Sequence, residues 1–248
     1  MDDVRSVQAT ATEGGTAETG SQEVRKETLK VEDFVKKVNL PLLKATLTEK
    51  ELYDRCLAAR AHAIAAVIVR PCDVDSALRI LNMSSVRVAS VAGYPWGSNA
   101  TATKVYECRD LIRRGVREIY AFPNPGKMLS RQFQHQEIEL IQMADDCLAA
   151  GVTLKIVIDQ GLMNDEMKII LCRMAKRVNA HYVATTQPRD HEMLLKYCNN
   201  RASVEIGGLQ TLDEACAAWN LGCKHATVTS VAALDAMVTE LERYAKAT

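Results

Sequence analysis

The sequence predicts an α/β fold, a (β/α)8 TIM barrel with an N-terminal helical extension. Three observations carry that prediction. Eight short apolar runs alternate with helical patterns along the chain. Glycines stand where three of those helices should end, at Gly115, Gly151 and Gly222. The length of 248 residues suits one domain of eight βα units. No G-x-G-x-x-G follows the first apolar run, which disfavours an open doubly wound sheet.

Met1–Gly20 is rich in Thr, Ala, Gly and Glu and has no periodicity. A segment of that composition cannot bury enough apolar area to offset its ordering entropy, so residues 1–22 are expected to form a disordered tail. Residues 23–248 are expected to form the barrel domain. Around Val24–Val38 a helical pattern places Val31, Phe34, Val35 and Val38 on one face, as a lid over the closed end or as an interface.

Val38–Leu43 reads as the first strand, broken by Pro41. Thr48 caps a helix to about His62, with Glu51 completing a capping box. Ala65–Val69 is apolar throughout, as a strand buried on both faces should be. Asp73 is expected to cap the next helix. A strand over Val86–Ala92 leads through GYPWGSN to a helix over Thr103–Arg114. Glu118–Phe122 is the fourth strand, and one long helix should cover about Ser130–Ala150. The strand Thr153–Ile158 and helix Asn164–Val178 follow, then strand His181–Thr185 and helix Asp190–Asn199. Strand Ser203–Ile206, helix Thr211–Leu221, strand His225–Thr229 and helix Val231–Ala245 complete the pattern. The segments Thr153–Asp159, His181–Thr186 and Ser203–Gly208 should converge on one pocket.

Composition narrows the function. Apolar residues are 48% of the chain, enough for a large core. Lys+Arg and Asp+Glu are both 31, so the formal charge is zero, which argues against a general nucleic-acid binder. None of the eight cysteines forms a CxxC pair or zinc-ligand spacing, and most fall in helical patterns, where a thiol acts as a small apolar residue. Reduced thiols and a cytoplasmic location are expected. No apolar run is long enough for a membrane span, and MDDVRSVQAT lacks the features of a signal peptide. The histidines His62, His135, His181, His191 and His225 show no metal spacing, so neither a metal nor another cofactor is expected.

Several segments resemble one family in order along the chain. Asn39-Leu40-Pro41-Leu42-Leu43-Lys44 resembles the I-D-H-T-L-L-K strand of deoxyribose-phosphate aldolases, and Arg70-Pro71-Cys72 their N-P-C/Y turn. Val91–Asn99 is similar to their V-V-G-F-P-x-G-x-N segment. Leu154–Asp159 resembles L-V-K-V-I-I-E, and Gly207–Thr211 resembles G-G-I-R-T. The resemblance implies class I retro-aldol chemistry on 2-deoxyribose 5-phosphate. A lysine on strand six forms a Schiff base and must be neutral to attack. A second lysine on strand seven lowers its pKa, while an aspartate on strand four and a lysine on strand five manage protons.

Measured against that resemblance, the chain keeps one of the four groups. Ala184 stands at the nucleophile, in Val183-Ala184-Thr185. The strand-seven lysine falls at Val204, or at Glu205 if the register slips by one. Tyr120 stands at the strand-four aspartate, and Lys155 is the retained lysine. The phosphate site is also reduced: Gln187-Pro188 replaces a glycine-rich loop, and Val231 replaces a glycine after strand eight. Gly207, Gly208 and Ser230 are its remaining candidates.

Each candidate has a plain structural alternative. Lys155 should face the lumen with Val157 and Asp159, as a substitute nucleophile or as an inherited lysine paired with Asp159 or Glu205. Glu205 and Asp159 form an acid/base pair or only neutralise that lysine. Tyr120 holds a ligand or fills vacated volume. The Gly207-Gly208 turn binds phosphate or simply serves the barrel. Arg70 is an anion contact or a solvated side chain, and Trp96 packs on the rim or anchors a partner. The leading expectation is an aldolase-like pseudoenzyme, inactive on 2-deoxyribose 5-phosphate, that acts as a binding or scaffolding protein. It would retain at most weak affinity for a sugar phosphate. The alternative is a lyase on a small aldehyde or sugar phosphate, using Lys155 and the pocket carboxylates. Family resemblance implies a homodimer, and analogy with other aldolase-fold proteins suggests a cytoskeletal protein partner.

Overall fold

The structure, a computed structural model, describes residues 23–158, 161–198 and 201–247. The tail expected over 1–22 lies outside the described residues. Helix α1 (Val31–Val35) leads into β1 (Val38–Leu42), α2 (Glu49–His62) and β2 (Ala66–Val69). Then come α3 (Val74–Ile80), β3 (Arg87–Ala92), α4 (Thr101–Arg114) and β4 (Glu118–Ala121). Helices α5 (Pro125–Leu129) and α6 (Phe133–Ala150) precede β5 (Thr153–Val157), α7 (Asp165–Arg177) and β6 (Tyr182–Thr185). The chain continues through α8 (His191–Cys198), β7 (Ser203–Leu209), α9 (Leu212–Asn220), β8 (His225–Val228) and α10 (Val231–Ala247). All strand pairs are parallel, each strand bonds to the next, and β8 bonds to β1 to close the barrel.

Strand alternation splits the core in two. Side chains such as Val67, Val69, Ile119, Leu154, Ile156 and Val183 face outward into a large layer shared with the helices. Their neighbours Ala66, Ile68, Ala89, Val91, Tyr120, Val157 and Ala184 form a smaller cluster inside the barrel. The lumen therefore takes every second residue of each strand, and polar side chains enter it from β1, β4, β5, β7 and β8.

Several elements differ from the sequence reading for local reasons. The N-terminal helix spans only Val31–Val35, because the chain must become extended at Val38 to pair with β8. Phe34 nevertheless anchors it, fully buried and edge-on to Trp219 at 5.6 Å. Val24 N–H donates to Asn220 Oδ1, and Lys26 contacts Asp213 and Glu240, so this segment is tied to α9 and α10. The helix expected over about Ser130–Ala150 is α6, starting at Phe133, and a separate short helix stands before it: Asn124 caps α5, and Arg131 adopts a φ of 57° before α6 begins. Thr48 and Glu51 do form the capping box of α2. Asp73 does not cap α3 with its side chain, since its carboxylate is taken by Arg70 at 2.5 Å. β7 runs past Ile206 to Leu209, with a register shift against β8 between Gly207 and Leu209, where Gly208 has a φ of 84°.

A candidate ligand site above a buried ion network

At the C-terminal ends of the strands lies a cavity of 270 Å³. This is the face where barrels place their sites, because the βα loops gather there. Pro41, Leu43, Ile68, Val91, Phe122 and Val157 line it from the β1–β5 side. Ala184, Thr185, Thr186, Gly207, Gly208 and Thr227 line it from β6–β8, with Val228 and Thr229. Tyr120 and Glu205 reach it from below. The ends of β5, β6 and β7 do converge, as neighbours in the sheet.

Beneath the cavity sits Lys155, fully buried. Its Nζ lies 2.6 Å from Glu205 Oε2 and 2.7 Å from Glu118 Oε2. It also donates to the Tyr120 hydroxyl at 3.1 Å and lies 4.9 Å and 4.8 Å from the ring centres of Tyr120 and Tyr182. Glu205 has further donors: the Tyr120 hydroxyl at 2.7 Å, Thr227 Oγ1 at 2.8 Å and Asn39 Nδ2 at 3.2 Å. Glu118 accepts from Arg87 Nε at 2.6 Å. The network thus runs across the barrel through β3, β4, β5, β7, β8 and β1.

The electrostatics follow from burial set against pairing. Burial alone would depress the Lys155 pKa, but Glu205 and Glu118 outweigh it and hold the ammonium above its ordinary value. Burial would raise both carboxyls, yet Lys155, with Arg87 beside Glu118 and the hydroxyls beside Glu205, keeps them below the usual carboxylate range. Burial, followed by the nearby Glu205 and Glu118 charges, pushes the Tyr120 phenol well above its normal value. Lys155 is therefore an ammonium, the two glutamates are carboxylates and Tyr120 is a neutral phenol. A retained proton removes the lone pair that amine attack requires.

The structure brings some of the candidate residues together and separates others. Lys155, Tyr120, Ala184 and Glu205 share the lumen, whereas Val204 packs in the outer layer. In strand seven, Glu205 rather than Val204 is thus the residue that faces the chemistry. Gly207 and Gly208 line the cavity, but Ser230 does not. Ser230 lines a separate depression with Asp54 and Arg55, and its Oγ accepts from Ala233 N–H at the start of α10. Arg70 is partly exposed and does not line the cavity: it donates to the carbonyls of Lys44, Ala45 and Leu47 and pairs with Asp73. Asp159 lies outside the described residues. Trp96 is 58% exposed rather than packed on the rim.

Glu118, Asn39 and Thr227 were missed by the sequence reading. The signal was present for Glu118 and Asn39, which stand two residues before Tyr120 and Pro41 and so on the same strand face. All eight cysteines are free, with Cys108 Sγ 3.9 Å from Cys147 Sγ. Among the described residues there is no cluster that could hold a metal ion, and no helix is long and apolar enough to cross a membrane.

No family model matches the chain. Among proteins of similar sequence, the deoxyribose-phosphate aldolase of Clostridium kluyveri is 27% identical over 207 residues, covering 80% of this chain and 94% of that one. Solved structures agree on the fold. The aldolase QR15 superposes with a TM-score of 0.76 at 22% identity, covering 86% of this chain and 96% of its own. Deoxyribose phosphate aldolase from Aeropyrum pernix gives 0.76 at 18% identity, with 86% and 92% covered. The deoxyribose-phosphate aldolase of Natranaerobius thermophilus is 32% identical over 182 residues, which span 70% of this chain and 82% of the relative. That degree of identity over that length, on a closed barrel of matching fold, means that the chain belongs to the deoxyribose-phosphate aldolase family.

Proposed function

We propose that this family member has lost Schiff-base catalysis on 2-deoxyribose 5-phosphate and works as a binding or scaffolding protein. The observation that carries the reading is the state of Lys155. It is the lysine of the lumen, and its ammonium is held between Glu118 and Glu205 beneath the cavity rather than in it. An unperturbed lysine, with a pKa of about 10.4, is already mostly protonated near neutral pH. The two carboxylates move Lys155 further in that direction. By the family resemblance Ala184 stands at the nucleophile, and a methyl group forms no imine. Tyr120, standing at the proton-transfer carboxylate, donates to Glu205 instead of accepting a substrate proton.

The sugar phosphate named in the relatives' activity would bind weakly. Among the described residues no lysine or arginine lines the cavity, and its one ionised side chain is the carboxylate of Glu205. The lyase reading on a small aldehyde would require Lys155 to leave both partners and deprotonate, which the geometry opposes.

Borohydride reduction in the presence of 2-deoxyribose 5-phosphate, read by intact mass, tests the proposal. The expected result is no adduct and no aldehyde release. An adduct mapped by peptide mass to Lys155 or another lysine would overturn it. Ala184→Lys alone should remain inactive, because Ala184 pairs in register with Glu205 and the new amine would be held protonated by that carboxylate.

A further inference from the structure

Deepening that reading, and resting on it, we propose that the cavity binds an uncharged small molecule with an apolar body and one hydroxyl or carbonyl group. The two halves of the lining support this independently. From β1 to β5 the wall is hydrocarbon and aromatic: Leu43, Ile68, Val91, Phe122 and Val157. The polar groups are few and stand on the opposite side, at the ends of β6 and β8, where Thr227 and Thr229 line the cavity while the Thr185 hydroxyl is already engaged with Asp190 and Gln187 N–H. An apolar enclosure with a few convergent polar atoms is the usual form of a small-molecule site.

Charge excludes the anionic alternative. A phosphate entering this space would meet the Glu205 carboxylate with no cation among the described lining residues to compensate. Lys155 cannot serve, because it is fully buried and both carboxylates already claim it. Burying an unpaired anion beside another is heavily unfavourable. A free cation fares little better, since Glu205 already accepts from Lys155, Tyr120, Thr227 and Asn39. The surviving class is neutral. Thr227 Oγ1 spends its proton on Glu205, so it is left to accept from a ligand hydroxyl.

Volume sets the scale of the ligand. A dry apolar cavity of about 150 Å³ accommodates benzene. At 270 Å³ this one accommodates a body nearer to a fused pair of rings or a medium-chain alcohol. Gly207 carries no side chain beside Thr227, where an added Cβ would lie 3.6 Å from the Thr227 Cβ, so a ligand hydroxyl can approach Thr227 Oγ1 from the cavity.

The test is a titration of the full chain with 1-naphthol, followed by its fluorescence, with inorganic phosphate and 2-deoxyribose 5-phosphate as competitors. Saturable binding at one site per chain is expected, with no displacement by either phosphate compound at millimolar concentration. Ala184→Phe should fill the cavity and weaken binding at least tenfold, with Ala184→Leu as a milder filling variant. Circular dichroism and the thermal midpoint establish that each variant is folded. Hydrogen exchange on the unaltered chain gives a readout that needs no variant: 1-naphthol should slow exchange at the ends of β6, β7 and β8. Failure of 1-naphthol to saturate would overturn the proposal while leaving the absence of imine chemistry untouched. Unchanged affinity in a folded Ala184→Phe, or displacement by micromolar 2-deoxyribose 5-phosphate, would also overturn it. A borohydride-trapped adduct, read in the separate mass experiment, would instead overturn the functional reading beneath it.

Discussion

Lys155 and Glu205 meet at 2.6 Å across the lumen, although they stand on β5 and β7 with β6 between them. On β6 between them, Ala184 pairs in register with Glu205, and its small side chain lines the cavity. An ion pair with both partners essentially buried is held by its geometry and by the further donors around it. Here Tyr120, Thr227 and Asn39 supply those donors to Glu205, and Glu118 completes the neutralisation. The pair therefore acts as a floor for the site.

Lys155→Met should be strongly destabilising, because it leaves Glu118 and Glu205 buried beside each other without their shared cation. Removing one partner of a buried pair costs about 3–5 kcal/mol. Urea unfolding measures the loss. The double variant Lys155→Met with Glu205→Gln should cost less than the sum of the two single changes, since the remaining carboxylate is then alone. Simple additivity would mean that the two side chains do not support each other.

Acid should weaken the fold in two stages. Burial lowers the pKa of His225, helped by the Lys155 charge, and burial likewise lowers that of His191. Both are neutral in the fold, so the unfolded chain binds more protons once pH drops below about 6.5, and their contribution is lost as pH falls through the folded values. Glu118 and Glu205 also titrate below their ordinary value. Their contribution is complete above about pH 4.3 and is lost below it, as the carboxylates are protonated in the fold. The raised pKa of Lys155 acts at the other end: its contribution is present below about pH 10.4 and is lost only at higher pH. Urea midpoints measured from pH 3 to 8 should therefore rise with pH up to about 6.5, most steeply at the acid end, and level off above it. A flat profile would contradict the network.

Arg70→Ala should loosen the βα turn after β1 without altering ligand binding. Its guanidinium holds the carbonyls of Lys44, Ala45 and Leu47 while paired with Asp73. Hydrogen bonds from a charged group contribute about 1.5–3 kcal/mol. The expected loss is in that range, with faster hydrogen exchange around residues 44–48. A selective loss of phosphate affinity with unchanged stability would restore Arg70 as an anion contact.

The sequence by itself determined the alternation of eight strands with helices, and with it the barrel, because periodicities of two and 3.6 residues are properties of short segments. Thr48 and Glu51 were legible as a capping box for the same reason: the partners are three residues apart. Alternation also sent Lys155 into the lumen and made Glu205 a candidate partner. Strand alternation further put Glu118 on the inner face of β4, but nothing local said that its carboxylate would reach Lys155, on the neighbouring strand. Nor could it choose between Val204 and Glu205: a slip of one residue reverses a strand's faces, and only pairing with β6 and β8 sets that register. Asp73 is competent as a cap in sequence, yet Arg70 takes its carboxylate because the chain after β1 folds back over it. Ser230 follows β8 as expected but turns its hydroxyl onto α10, leaving the cavity to the threonines. These outcomes depend on which strands become neighbours when β8 closes onto β1, and closure joins residues nearly two hundred positions apart. The lumen chemistry was therefore decided by tertiary structure, since each of its charges is stable there only in the presence of partners from other strands.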